Sequence, residues 1–157
     1  MTPEHLQEQP DVQVRPPVVH IQRILPEILE VVWDPVRPLL QKAVDRERGR
    51  FTVDHILYWI LGRTHQLWVA VIDGRMEAAI ISEVLLQPSG KRSCCIQLAG
   101  GARVEDWLVP LVEAFVKFGR EQGVDEFRVT GRKGWERLLA RHSFVLDSVI
   151  LIREGGR

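Results

Sequence analysis

Along the chain, apolar positions switch between two periods. From 67 to 88 the stretch LWVAVIDGRMEAAIISEVLLQP holds two runs rich in β-branched and aliphatic residues, split by Asp73-Gly74. That dipeptide readily supplies the two positive φ values of a tight hairpin, so two antiparallel strands are predicted. A turn at SGKR, residues 89–92, leads to a third strand, SCCIQLAGG, ending at Gly100-Gly101. Between Glu105 and Gln122 the period becomes helical: Trp107, Leu108, Leu111, Val112, Phe115, Val116 and Phe118 share one face, with Glu105 and Asp106 in the first turn and Gly123 as the stop. EFRVTG then predicts a strand parallel to the one before the helix, WERLLARH a short helix, and FVLDSVILIRE a last strand. Upstream, Val18–Ile24 predicts a first strand and Pro26 opens a helix that Pro35 and Pro38 interrupt before LLQKAVDRERG resumes it. Thr52 is placed to cap a further helix ending at Gly62.

Composition bounds this picture. With 157 residues and 45% hydrophobic content the chain fits one domain, predicted over 18–157, behind an extended polar arm at 1–17 that carries Pro3, Pro10, Pro16 and Pro17. Lys plus Arg equals Asp plus Glu at 21 each, so no whole-chain field draws the protein to nucleic acid or an anionic membrane. Arg128, Arg132, Lys133, Arg137 and Arg141 form a local basic patch, diluted by Glu126 and Glu136 and without an aromatic ladder; it reads as a solvated face, not a nucleic-acid site. The first residues lack the basic start and apolar core of an export signal, and no apolar run approaches the roughly 18 residues of a membrane span. Cys94 and Cys95 are adjacent in a strand, hence on opposite faces and unpaired, which fits a reducing cytosol. No histidine or cysteine cluster has metal spacing, so no metal site is expected, and no hydrolase elbow, nucleotide loop or zinc-protease motif occurs. Of five tryptophans, Trp33 and Trp107 are expected to reach a partner and the others to fill the core.

The element order, early helices, an antiparallel meander, a crossover helix, a strand, a short helix and a terminal strand, resembles the GNAT (Gcn5-related N-acetyltransferase) fold. WERLLARHSF resembles the family ending A-x-x-L-Y-x-K-x-G-F through Leu138, Arg141 and Phe144, and Gly119–Gly123 resembles the end of its crossover helix. The fold this implies is α/β (α+β), a mixed sheet with an antiparallel N-terminal meander, covering roughly residues 18–154. LWVAVIDGR, LAGG and GRKGWERLLARHSF together look most like small GNAT-like proteins of tailed bacteriophages, the podovirus virion-assembly family.

What the resemblance implies for chemistry divides. The family holds the coenzyme A pyrophosphate on backbone amides of an R-G-x-G-x-G/A loop, and that loop falls on residues 103–108, where only Arg103 matches. Carboxylates of Glu105 and Asp106 stand where phosphate needs positive potential. Gly100 and Gly101, with Arg103 as counter-charge, are the candidate cofactor-binding residues, offering amides two residues upstream. Leu139 replaces the family's proton-donating tyrosine, which leaves Glu83 on a central strand and His142 as candidate acid–base residues. The expectation is therefore a virion-associated or assembly protein, in the virion or the host cytoplasm, that has lost acetyl-CoA chemistry, needs no cofactor and binds portal, tail or internal virion proteins, with an oligomer in an assembly as one arrangement. Two alternatives stand beside it: an acyltransferase moving an acetyl group from acetyl-CoA to an amine, and a small-molecule or peptide binding module.

Overall fold

The computed structural model describes residues 15–156; the predicted arm at 1–17 lies mostly outside them, and its residues 15–17 are exposed. The chain runs β1 (Val19–Ile24), a single 3₁₀ turn, α1 (Leu29–Val44), α2 (Val53–Leu61), β2 (His65–Ile72), β3 (Arg75–Leu86), β4 (Arg92–Gly101), α3 (Val104–Glu121), β5 (Glu126–Val129) and α4 (Trp135–Ala140). The sheet follows sequence order, β1-β2-β3-β4-β5, antiparallel through β4 and parallel between β4 and β5. That reversal is what the α3 crossover requires, since a parallel neighbour cannot be reached by a tight turn. The fold expected from the sequence is the fold observed, a mixed α+β sheet with helices on both faces.

Alternation along the strands splits the core in two. One face carries Leu67, Val69, Ala79, Ile81 and Leu98 against α1 and α2. The other carries Trp68, Ala70, Ile80, Cys94 and Ile96 against α3, whose Leu111 and Phe115 are fully buried. Cys94 and Cys95 are free and point to opposite faces, and burial pushes the Cys94 thiol up to about 12, far from a reactive thiolate.

Local signals acted as their chemistry predicts. Asp73 and Gly74 have φ of 50° and 80°, the paired positive values of the hairpin turn. Thr52 accepts from the His55 amide while its own N–H donates to the His55 ring, a reciprocal cap in which an imidazole takes the role usually played by Glu.

Three expectations fail. Pro35 and Pro38 do not interrupt α1, which runs unbroken through both. They lie on its exposed side, where the carbonyls of Val31 and Asp34 lose the N–H partners that prolines cannot supply, while Leu29, Val36, Leu40 and Ala43 hold the buried stripe. Trp107 does not reach outward; it is 3% exposed and donates its indole N–H to the Ala102 carbonyl at 2.8 Å. Trp33 is half-buried against the α1–α2 core. The predicted last strand is absent: residues 144–154 pair with no strand of the sheet.

Candidate functional site

Two bulges and one divergence shape the region where the predicted residues converge. The β3–β4 register shifts between Ile81 and Ser82, so Gln97 opposes no residue of β3, and the β2–β3 register shifts between Ala70 and Val71. The second shift brings His65 opposite Glu83. β4 and β5 stay paired from Ser93/Glu126 to Ile96/Val129, with a last link from the Thr130 N–H to the Ile96 carbonyl, and then part. Beyond that point β4 continues to Gly101 with β3 on one edge and, among the described residues, no strand on the other.

The parting opens a cleft of two adjoining cavities that share Ala99, Arg132 and Trp135. One, about 160 Å³, lies between the end of α1, Gln97–Ala99 of β4 and Thr130–Arg132. The other, about 220 Å³, runs from Ala99 to the start of α3 at Arg103–Glu105. GRKGW forms the wall between them: Trp135 packs edge-on against Trp107 at 5.9 Å, and a Cβ at Gly131 would strike the Trp135 ring. Gly131 is thus required by the close approach of the indole, and within α4 Leu139 is buried while Leu138 is 40% exposed.

Behind Gln97 stands the most unusual electrostatic feature of the molecule. Glu83 faces the α1–α2 side with its side chain 14% exposed; the Gln97 amide donates to its Oε1, and His65 Nε2 lies 3.1 Å from its Oε2. His65, 11% exposed, is stacked on Trp59 at 4.7 Å, and its Nδ1 is 2.8 Å from the Thr64 hydroxyl, which also reaches the Trp59 carbonyl at 3.1 Å. Burial raises the Glu83 carboxyl above its ordinary value and lowers His65, with the Gln97 amide acting the opposite way on the imidazole. Because one hydroxyl carries one proton, the chain admits two patterns. If Thr64 donates to Trp59, His65 holds its proton on Nδ1 and Nε2 accepts from a protonated Glu83. If Thr64 donates to Nδ1, Nε2–H donates to a Glu83 carboxylate. The two patterns differ by one proton, so the group is neutral in the first and carries one negative charge in the second.

Of the candidates named from sequence, Glu83 therefore stands beside the cleft. His142 does not join it: it sits half-buried after α4, and among the described residues its side chain makes no hydrogen bond. Gly100 and Gly101 line the second cavity, but a Cβ on Gly100 would collide with the Leu39 carbonyl of α1 and one on Gly101 with the Glu77 carbonyl of β3. Both glycines thus admit close approach of the protein's own backbone. Arg103, left-handed at φ 61°, caps α3 and spends its guanidinium Nε on Asp106 at 2.9 Å. Positions 104–108 are helix, not loop. The end of the cleft at the start of α3 so carries Arg103 and Arg132 with Glu105 and Asp106, and no glycine cradle. His65 and Gln97 do not stand out in the sequence: the histidines lack metal spacing, and only the bulged register reveals the carboxylate opposite His65.

Among the described residues there is no cluster of metal-binding type and no helix long and apolar enough to cross a membrane. No protein-family model and no curated protein matches the sequence. Solved structures match by shape. A ribosomal-protein-alanine N-acetyltransferase from Brucella melitensis superposes at TM-score 0.62 with 17% identity over 88% of this chain and 100% of that one. An aminoglycoside acetyltransferase from an uncultured soil metagenomic sample gives 0.61 and 18% over 88% and 97%. A predicted acetyltransferase from Clostridium acetobutylicum, solved with acetyl-CoA, gives 0.62 and 11% over 87% and 96%. The class so defined is the GNAT-like fold. None of these relatives in shape links the chain to a phage virion.

Proposed function

We propose that the protein transfers an acyl group from a coenzyme A-type thioester to an amine, with Glu83 as general base. The observation that carries the reading is the placement of a buried carboxylate, its pKa raised by burial and its side chain backed by an imidazole, directly behind a residue that lines the cleft between β4 and β5. A base with its pKa near the working pH is the most effective proton acceptor. The edge of β4 past Ile96 has no strand beside it, so its backbone groups are free to pair with an extended, amide-bearing arm. The phosphate end fits less well: with its glycines packed against backbone, charge from Arg132 and Arg103 replaces an amide cradle, and Glu105 and Asp106 oppose it.

A bound acyl thioester supplies the activated carbonyl, at which the C–N bond forms as the C–S bond breaks and the sulfur leaves as thiol. Glu83 takes the proton lost by the amine nitrogen. His65 holds Oε2 and, through the file to Thr64 and Trp59, accommodates either charge state; Gln97 fixes Oε1. Leu139 is buried and has no proton to give, so the departing sulfur is protonated by solvent.

Thiol release from acetyl-CoA with a panel of amines tests this. Glu83→Gln is expected to lower kcat by about 10²- to 10⁴-fold with KM for the donor little changed. Equal rates in the wild type and Glu83→Gln would remove Glu83 from the chemistry. The second reading, a non-catalytic component of a virion or its assembly, draws support from the helical start of α3 and from Leu139; it predicts no thiol release at all.

A further inference from the structure

The stretch after α4 has the composition of a buried strand and none of its surroundings. Ser143, at φ 66°, turns the chain out of α4, and Phe144, half-buried, packs against the α3-side core. The next residues leave the body. Val145, Leu146, Val149, Ile150, Leu151 and Ile152 are exposed, from 50% at Ile152 to 91% at Leu151. The far end is tied back by an ion pair between Glu154 and Arg48, in the turn after α1. So many neighbouring large aliphatics in water is a cost that monomeric proteins seldom carry. Large side chains occur on both alternate sets, 145/149/151 and 146/150/152, so the segment suits a strand covered on both faces.

The same molecule carries a matching vacancy. β5 is the last strand of the sheet, and among the described residues nothing pairs with its outer edge. Phe127 and Val129 of β5 are only half-buried. A free edge and an unpaired apolar strand on one chain satisfy each other reciprocally when two copies meet about a twofold axis. A formal net charge of zero sets no long-range repulsion against that meeting.

We propose that the protein is a dimer in which residues 145–152 of each copy add as a strand along the outer edge of β5 in the other. The added strand backs Thr130–Arg132, which continue β5 into the wall of the cleft, so assembly and cleft shape are coupled.

Light scattering on the full-length protein is expected to give twice 18.0 kDa, and hydrogen exchange to show protected amides over 145–152. Val149→Asp with Leu151→Asp should return a monomer whose circular dichroism keeps the helical signal, while deletion of residues 1–14 should leave the dimer intact. Three results would overturn the proposal: a full-length monomer, whether its segment is protected within its own sheet or not; a dimer that persists in the double aspartate variant; or a dimer lost with the arm.

Discussion

Glu83 gives the molecule a pH signature that can be read without knowing any substrate. Its folded pKa lies above the ordinary 4.5, so between 4.5 and the raised value the folded state binds more protons than the unfolded one, and stability falls as pH rises through that window. His65 acts in the other direction: its folded pKa lies below 6.5, so its contribution is present above 6.5 and is lost as pH falls through the lowered value. Glu83→Gln removes the first effect and keeps the second, and a glutamine amide still bonds Gln97 and His65. The melting temperature of the variant relative to wild type should therefore rise as pH increases from 4.5 and level off above the raised folded pKa. Thermal melts of both proteins across that range check it; a difference that stays flat or shrinks contradicts the buried carboxylate. At this scale the sequence revealed Glu83 but not its partner. Counted from the Asp73-Gly74 turn without a bulge, His65 would face Ser82; the shift at Ala70/Val71 moves it to Glu83, and nothing in the residue types there announces an extra residue.

Elements were legible where local chemistry and burial agree. The hairpin, the Thr52 cap and the α3 stripe all follow from side chains within one turn of where they act. α1 is the opposite case, since two prolines should have broken it and the buried face of Leu29, Val36 and Leu40 overrode them. That override has a measurable residue. Pro38 is exposed in the helix interior, so Pro38→Ala restores a backbone hydrogen bond to the Asp34 carbonyl and should raise stability by about 1–3 kcal/mol in denaturant melts, the helical gain being reduced by the freedom alanine returns to the unfolded chain. A loss of stability would mean that the prolines set the bend of α1 over the sheet. The last strand, by contrast, was expected from composition and is absent, because strand propensity carries no information about whether an edge is there to pair with it.

For the molecule as a whole, the order of elements was enough to anticipate the GNAT-like fold, and the structural neighbours bear that out. What the order could not convey is how the cleft is furnished. The expected glycine loop is helix, the candidate glycines serve the packing of α1 and β3, and the His65–Glu83–Gln97 cluster is assembled from three strands whose registers shift at two bulges. Fold and chemistry thus separate, and the acyl-transfer reading rests on whether the cleft between β4 and β5 takes a thioester at all. Calorimetric titration of the full-length protein with acetyl-CoA measures that directly. Saturable binding in the micromolar range, abolished when Ala99→Phe fills the space shared by the two cavities, is the result predicted. Heats that never saturate, or binding indifferent to Ala99→Phe, would contradict it.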